Sequence, residues 1–318
     1  MYKLDEIITL QKRKYDLLAV GELLVDMISE DYADNLESSR YLRFFGGSPA
    51  NIAINAKKLG INSVVAAAVG QDGLGKFLAS KLEGAGMDTS FIQQTDYPTS
   101  MVLISKSVNS PAAIFYRGAD FRLLYTKELE EAVKAAGIIH FSCWPLSRIP
   151  ARHAIEKAVE TAKANDVLIC FDPNYHRMIW QEGETGEEYI KSIIGMTDIV
   201  KPSKDDAERL FGTAEDEEHV EMFLRLGAKL VIMTLGKDGA IVSNGEETIR
   251  INSMATDVAD TTGAGDAFWA GFYASAARGC SIREALNLGF AVSAYKLKFV
   301  GAVVDLPELE KIKELYGL

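Results

Sequence analysis

The sequence predicts an α/β fold, with a mostly parallel central sheet flanked by helices on both faces and a small β-strand lid. Three observations carry this. Short apolar runs of strand length recur along the chain, and four of them follow helical patterns of ten or more residues. Such alternation builds βαβ crossovers, which cover both faces of a parallel sheet. Two segments, about 24–45 and 97–118, break the alternation and read as strand pairs without crossover helices. No long Pro/Gly/Ser linker or internal repeat divides the 318 residues, so one domain, 1–318, is expected, with the lid segments inserted in its body.

The elements follow in order. Residues 1–15 are charged and read as a short helix or a frayed arm. Leu17 to Val20 is an apolar run ending at Gly21, the first buried strand. Leu23 to Ile28 is apolar around Asp26, and Ser29 to Ser39 is polar, a loop or hairpin tip. A helix follows Gly46-Gly47-Ser48-Pro49 and stops at Gly60. Val64 to Val69 is a strand and Lys76 to Gly84 a helix. Met101–Ser105 and Ala113–Tyr116 read as strands joined by an Asn-Ser-Pro turn. Ile138–Ser142, Val167–Asp172, Ile199–Lys201 and Leu230–Leu235 are short apolar strands that each follow a helix.

A net charge of −11 and a pI near 5 argue against nucleic acid or an anionic membrane as a partner, since both attract basic patches. Cys143, Cys170 and Cys280 form neither a disulfide framework nor a metal pattern, which points to a reducing cytoplasm. The N-terminus lacks the apolar core of a signal peptide, and no stretch approaches a membrane span.

Four segments carry chemistry. Asp260-Thr261-Thr262-Gly263-Ala264-Gly265-Asp266 precedes small residues at helical spacing. Gly263 to Asp266 therefore sits at a helix N-terminus, where unpaired amides and the dipole favour a phosphate and glycines let it approach. A carboxylate there can take a proton from a hydroxyl that attacks the phosphate; a plain capping Asp is the blander alternative. Gly46-Gly47-Ser48-Pro49-Ala50-Asn51 again sets glycines before a helix, with an amide that can donate to and accept from a polyol. Thr234-Leu235-Gly236-Lys237-Asp238-Gly239 reads as a tight turn between strands. Asp172-Pro173-Asn174-Tyr175-His176-Arg177 lies at the C-terminal end of a strand, where ligands gather in open α/β sheets. Gly70 to Lys76 fits G-x-x-x-x-G-K, but Phe77 stands where a P-loop needs a hydroxyl, so it reads as a strand-to-helix turn.

In this order, GGSPAN, DPN with Trp180, TLGKDG and DTTGAGD, the motifs resemble those of the ribokinase-like (PfkB) carbohydrate kinases from about residue 17 to 307. The resemblance implies a cytoplasmic kinase using ATP and Mg²⁺, with K⁺ as the usual monovalent ion. It implies Asp266 as general base and Gly263, Ala264 and Gly265 as the hole for the γ-phosphoryl oxygens. Thr234, Gly236 and Gly239 would line the nucleotide site. Asp26, Gly46, Gly47 and Asn51 would meet the sugar, with Asn174 nearby. Asp260 and Thr262 would flank the monovalent cation.

Two places depart from the pattern. Ser203 replaces the Asn and Asp206 the Glu of an Asn-x-x-Glu motif tied to nucleotide and Mg²⁺, so Asp206 is expected to hold the metal through water. His176 stands where the family favours Arg, with Arg177 next to it.

The Gly21-Glu22 start, Trp180 and the segment Phe115 to Asp120 are most similar to fructokinases. A 2-keto-3-deoxygluconate or 5-dehydro-2-deoxygluconate kinase is the alternative. Its carboxylate would need Arg117 or Arg177, and a free Asp120 would repel it. A non-catalytic sugar-binding regulator on the same fold is a distant third, against which the intact Asp266 argues. Exposed lid edges predict a homodimer through the lid.

Overall fold

The computed structural model describes residues 2–32, 37–106 and 112–318. Strand β1 (Tyr15–Val20) is followed by lid strands β2 (Leu24–Tyr32) and β3 (Tyr41–Gly46), helix α1 (Ser48–Lys58), β4 (Ser63–Gly70), α2 (Gly73–Gly84) and β5 (Ile92–Thr95). Lid strands β6 (Met101–Lys106) and β7 (Ala112–Tyr116) come next. The alternation then resumes with α3 (Lys127–Lys134), β8 (Ala136–Ser142), one-turn α4 (Cys143–Leu146), α5 (Ala151–Ala164) and β9 (Leu168–Asp172). It continues through α6 (Glu187–Ile194), β10 (Ile199–Val200), α7 (Lys204–Phe211), α8 (Asp216–Arg225) and β11 (Leu230–Thr234). The chain ends with β12 (Ala240–Ser243), β13 (Thr248–Ile251), α9 (Ala264–Ala276), α10 (Ile282–Lys296) and α11 (Leu309–Tyr316).

The large sheet has the order β13-β12-β11-β10-β9-β8-β1-β4-β5, parallel throughout except β12 and β13. Its central strands are buried on both faces, as continuous runs such as Ser63–Gly70 require. One face packs on α3, α5, α6, α7 and α8, the other on α1, α9 and α10. The lid sheet is β3-β2-β6-β7: two antiparallel pairs joined by parallel β2 and β6. A third apolar cluster binds its inner face to α1 and α2 through Val25, Leu78 and Leu82.

Three local expectations change. Residues 2–14 form neither a helix nor a loose arm: Leu4 and Ile8 are buried, and Ile282 and Arg283 amides donate to the Glu6 and Leu4 carbonyls. The helical alternative failed because the apolar side chains anchor an extended segment against the start of α10. Strand β2 runs on to Tyr32, into the expected loop, because β6 pairs with it as far as Lys106. Strand β5 adds an edge to the large sheet that its polar sequence, IQQT, did not announce. The Asn-Ser-Pro turn and residues 33–36 at the tip of the first strand pair lie outside the described residues.

The turn at Gly70–Lys76 is closed on itself. Asp72 caps α2 by accepting from the Gly75 amide (2.8 Å), and its other oxygen accepts from the Thr99 amide (2.7 Å). The Gly75 amide that a phosphate would need is already used, and the turn ties the lid to the body instead.

Candidate active site

The C-terminal ends of β1, β8, β9 and β11 deliver Glu22, Ser142, Asp172 and Thr234 to one rim of the sheet, with Lys201 just after β10. The rim faces the start of α9 and the lid, the usual crevice of an open α/β sheet.

Gly263 begins α9 with φ 76°, and the Cα of Ala302 would lie 2.6 Å from a Cβ there, so only glycine fits. The Ala264 amide turns back to the Thr261 carbonyl (3.2 Å); those of Gly265 and Asp266 have no backbone acceptor among the described residues. The helix thus opens with free donors at its positive end. Asp266 accepts from Ser48 Oγ (2.6 Å) and Asn51 Nδ2 (2.9 Å), both on the first turn of α1. Burial pushes its carboxyl up to about 6, even though both hydrogen bonds favour the charged form. Asn51 Oδ1 is buried and has no partner among the described residues, an acceptor suited to a ligand hydroxyl.

Gly47 takes φ 109° and brings α1 so close to the Glu22 carbonyl that a side chain would collide with it. Gly46 leaves equivalent room for the Asp26 carboxylate. Burial, then the charge of Asp266, pushes Asp26 up to about 7. Beneath them Glu22 accepts from the Ser48 amide (3.2 Å) and Ser142 Oγ (3.3 Å), and burial raises it to about 8. Two acids raised to about 7 and 8 therefore lie around Asp266, which is raised less.

Lys201 Nζ pairs with Asp172 Oδ2 (2.8 Å), which also accepts from Trp269 Nε1 (2.9 Å). The same ammonium would be 3.2 Å from a Cβ on Gly265, so it sits against the amides of α9. In the sequence Glu22, Ser48 and Asp172 stand only as parts of motifs and Lys201 only as a strand end, none with a role of its own. The signal available was their place just after apolar strands or beside a glycine pair.

Thr234, Gly236 and Gly239 line a cleft of about 440 Å³ together with Ala264 and Gly265. Met254, Val258, Phe290 and Leu297 give it an apolar wall suited to a flat purine ring, with Ser253 and Ser293 as polar lining. The predicted nucleotide residues thus come together with the predicted phosphate hole.

Other expected residues are tied up by neighbouring protein groups. Ser203 caps α7 and Asp206 caps it back: Asp206 Oδ2 accepts from Ser203 N (2.9 Å) and Oγ (2.6 Å), and Oδ1 from Tyr175 N (2.6 Å). Asp206 is buried, and that burial raises its pKa. Both carboxylate oxygens of Asp206, expected to hold Mg²⁺ through water, thus already accept hydrogen bonds, from Ser203 and from Tyr175.

Arg117 and Asp120 form a buried ion pair (Nε–Oδ2 2.6 Å), to which Trp144 Nε1 (2.7 Å) and Ser100 add. Asp120 is therefore not free to repel a carboxylate, nor Arg117 to attract one; the pair pins the base of the lid to α4. Asn174, with φ 39°, is exposed at the mouth, and His176 packs against Phe115 of the lid. Arg177 is exposed and lies towards the Tyr175 hydroxyl, beside the Gln181–Thr185 loop.

The Asp260 carboxylate accepts from Thr262 N (2.9 Å), Thr262 Oγ1 (2.8 Å) and Gly301 N (2.8 Å). Its carbonyl accepts from Lys296 Nζ (2.7 Å). Of the oxygens expected to flank K⁺, those of Asp260 already accept hydrogen bonds.

A recessed carboxylate at a glycine-rich helix start, facing a purine-sized cleft on one side and polar lid residues on the other, defines a phosphotransferase of the ribokinase-like class. The comparisons agree. The profile "pfkB family carbohydrate kinase" matches residues 14–309, and the chain belongs to that family. It is 56% identical over 318 residues to the ATP-dependent 6-phosphofructokinase of Thermoanaerobacterium thermosaccharolyticum, covering all of this chain and 99% of that one. It is 29% identical to a 5-dehydro-2-deoxygluconokinase of Clostridium botulinum, over 95% of this chain and 93% of that one. The fructokinase of Halothermothrix orenii has a similar structure (TM-score 0.80, 40% identity, 86% of this chain and 97% of that one). Among the described residues no helix is long and apolar enough to cross a membrane.

Proposed function

We propose that this carbohydrate kinase transfers the γ-phosphoryl group of ATP to a hydroxyl of a fructose-type ketose, with fructose 6-phosphate as the acceptor. The placement of Asp266 carries the chemistry: an ionised carboxylate within one helical turn of free amides. The identity of 56% over the whole chain supports the acceptor.

Asp266 takes the proton of the attacking hydroxyl. The amides around Gly263, Ala264 and Gly265, with Lys201 beside them, receive the charge of the transferred group. Asp26, Gly47 and Asn51 orient the ketose, and Asn51 Oδ1 gains its missing partner. Thr234, Gly236 and Gly239 hold the nucleotide, and Mg²⁺ enters with it as the Mg·ATP substrate. His176 and, behind it, Arg209, whose Nη1 donates to the Tyr175 carbonyl (3.1 Å), stand at the mouth where a 6-phosphate would emerge. The lid closes over the sugar and excludes water.

Free fructose is the second reading. The H. orenii fructokinase supports it, as does the mutual pairing of Arg117 and Asp120. ADP release from Mg·ATP with fructose 6-phosphate, fructose and 5-dehydro-2-deoxygluconate tests all three acceptors. The highest kcat/KM on fructose 6-phosphate is expected; activity confined to the sugar acid would overturn the ketose reading.

A further inference from the structure

We propose that this kinase carries its own monovalent cation: the Lys296 ammonium occupies the position expected for K⁺ and makes phosphoryl transfer independent of it. The inference rests on the reading of the α9 start as the phosphate hole.

Lys296 is the last residue of α10 and is fully buried. A buried lysine is costly unless its charge is needed and compensated. Among the described residues its one hydrogen-bond acceptor is the Asp260 carbonyl, at 2.7 Å. That carbonyl opens the turn Asp260 to Asp266, whose far end is the base. Burial lowers the ammonium's pKa, while Asp260 and Asp266 both act to keep it charged. The charge therefore lies behind the anion hole, where it favours the anionic group being transferred.

Most of the neighbouring oxygens already accept hydrogen bonds from the protein itself. The Asp260 carboxylate is held by Thr262 and Gly301. The Leu297 carbonyl accepts from Ala259 N (2.7 Å), the Lys296 carbonyl from Phe299 N (3.0 Å) and the Ala302 carbonyl from Asn55 Nδ2 (3.4 Å). Potassium and ammonium ions are close in size and both are held by carbonyl oxygens. A tethered ammonium is present at every salt concentration, so a free ion would have to displace a buried side chain to bind.

The test is turnover of the wild-type enzyme in tetramethylammonium chloride, with KCl substituted at constant ionic strength. Less than a twofold change is expected; a saturable activation by K⁺ of about tenfold or more, a usual size for site-to-site coupling, would overturn the proposal. Lys296→Ala and Lys296→Met separate charge from shape. Both lose turnover in tetramethylammonium, and only Lys296→Ala, which opens space, regains it with K⁺. Thermal melting gives a second readout: K⁺ raises the midpoint of Lys296→Ala and leaves the wild type unmoved. A folded Lys296→Met with wild-type turnover would also overturn the idea. Failure of the Asp266 reading is distinguished by Asp266→Asn, which tests the base at fixed salt.

Discussion

Ser48→Ala tests the base most directly. Ser48 Oγ donates to Asp266 Oδ1 at 2.6 Å, a short bond to a charged acceptor in a recessed site. Such a bond contributes roughly 1.5–3 kcal/mol, and it favours the ionised form of the acid. At about 1.4 kcal/mol per pH unit, its loss moves the carboxyl up by about one to two pH units. The wild-type carboxyl lies at about 6, so kcat/KM is expected to fall as pH drops through that value. In Ser48→Ala the acid limb shifts to between about 7 and 8, and activity at pH 6.5 falls roughly tenfold. Most of it returns above pH 9, because the base itself is intact. The assay is ADP release across pH 5–10 with sub-saturating sugar. A uniform loss with the acid limb unmoved would refute the reasoning, since a merely structural serine lowers activity without moving the titration.

Asp266→Asn keeps the start of α9 and removes the base, so turnover should drop by about 10²–10⁴ with an unchanged melting temperature; near-normal kcat would sink the assignment. Glu22 is raised from 4.5 to about 8, so its proton is held more tightly in the folded state. Its contribution to stability is then greatest below pH 4.5 and declines up to pH 8, by roughly 5 kcal/mol at most. Glu22→Gln, which mimics the protonated acid, should melt above the wild type at pH 9 and by a much smaller margin at pH 5; equal margins would contradict this. Asp120→Ala leaves the Arg117 guanidinium buried and unpaired, which costs about 3–5 kcal/mol. A variant of unchanged melting temperature but raised KM would restore Asp120 to the sugar site. The lid exposes Tyr32 and Leu42, and a homodimer through this sheet is expected; a monomer mass by light scattering would refute it.

Local chemistry was legible from the sequence. Period and run length gave the buried strands, because a parallel strand covered on both faces must be apolar throughout. Glycines before a helix marked both the proposed phosphate hole and the proposed sugar loop, because close approach of a ligand to the backbone needs no Cβ. Strand β5 and the docked N-terminal segment stayed hidden, since their stabilisation comes from partners far along the chain. Charge partners were hidden for the same reason. Arg117 and Asp120 read as free binding groups until the fold paired them and set Trp144 against them, and the Ser203 and Tyr175 donors to Asp206 were equally out of sight. Which residue types are present, and which helix starts can bind a phosphate, is written in the sequence because it depends on neighbours a few positions away. Whether a given charge faces a ligand or another side chain, as with Lys296 and the Asp260 carbonyl 36 positions apart, is decided only by tertiary structure, because electrostatic pairing depends on distance in space.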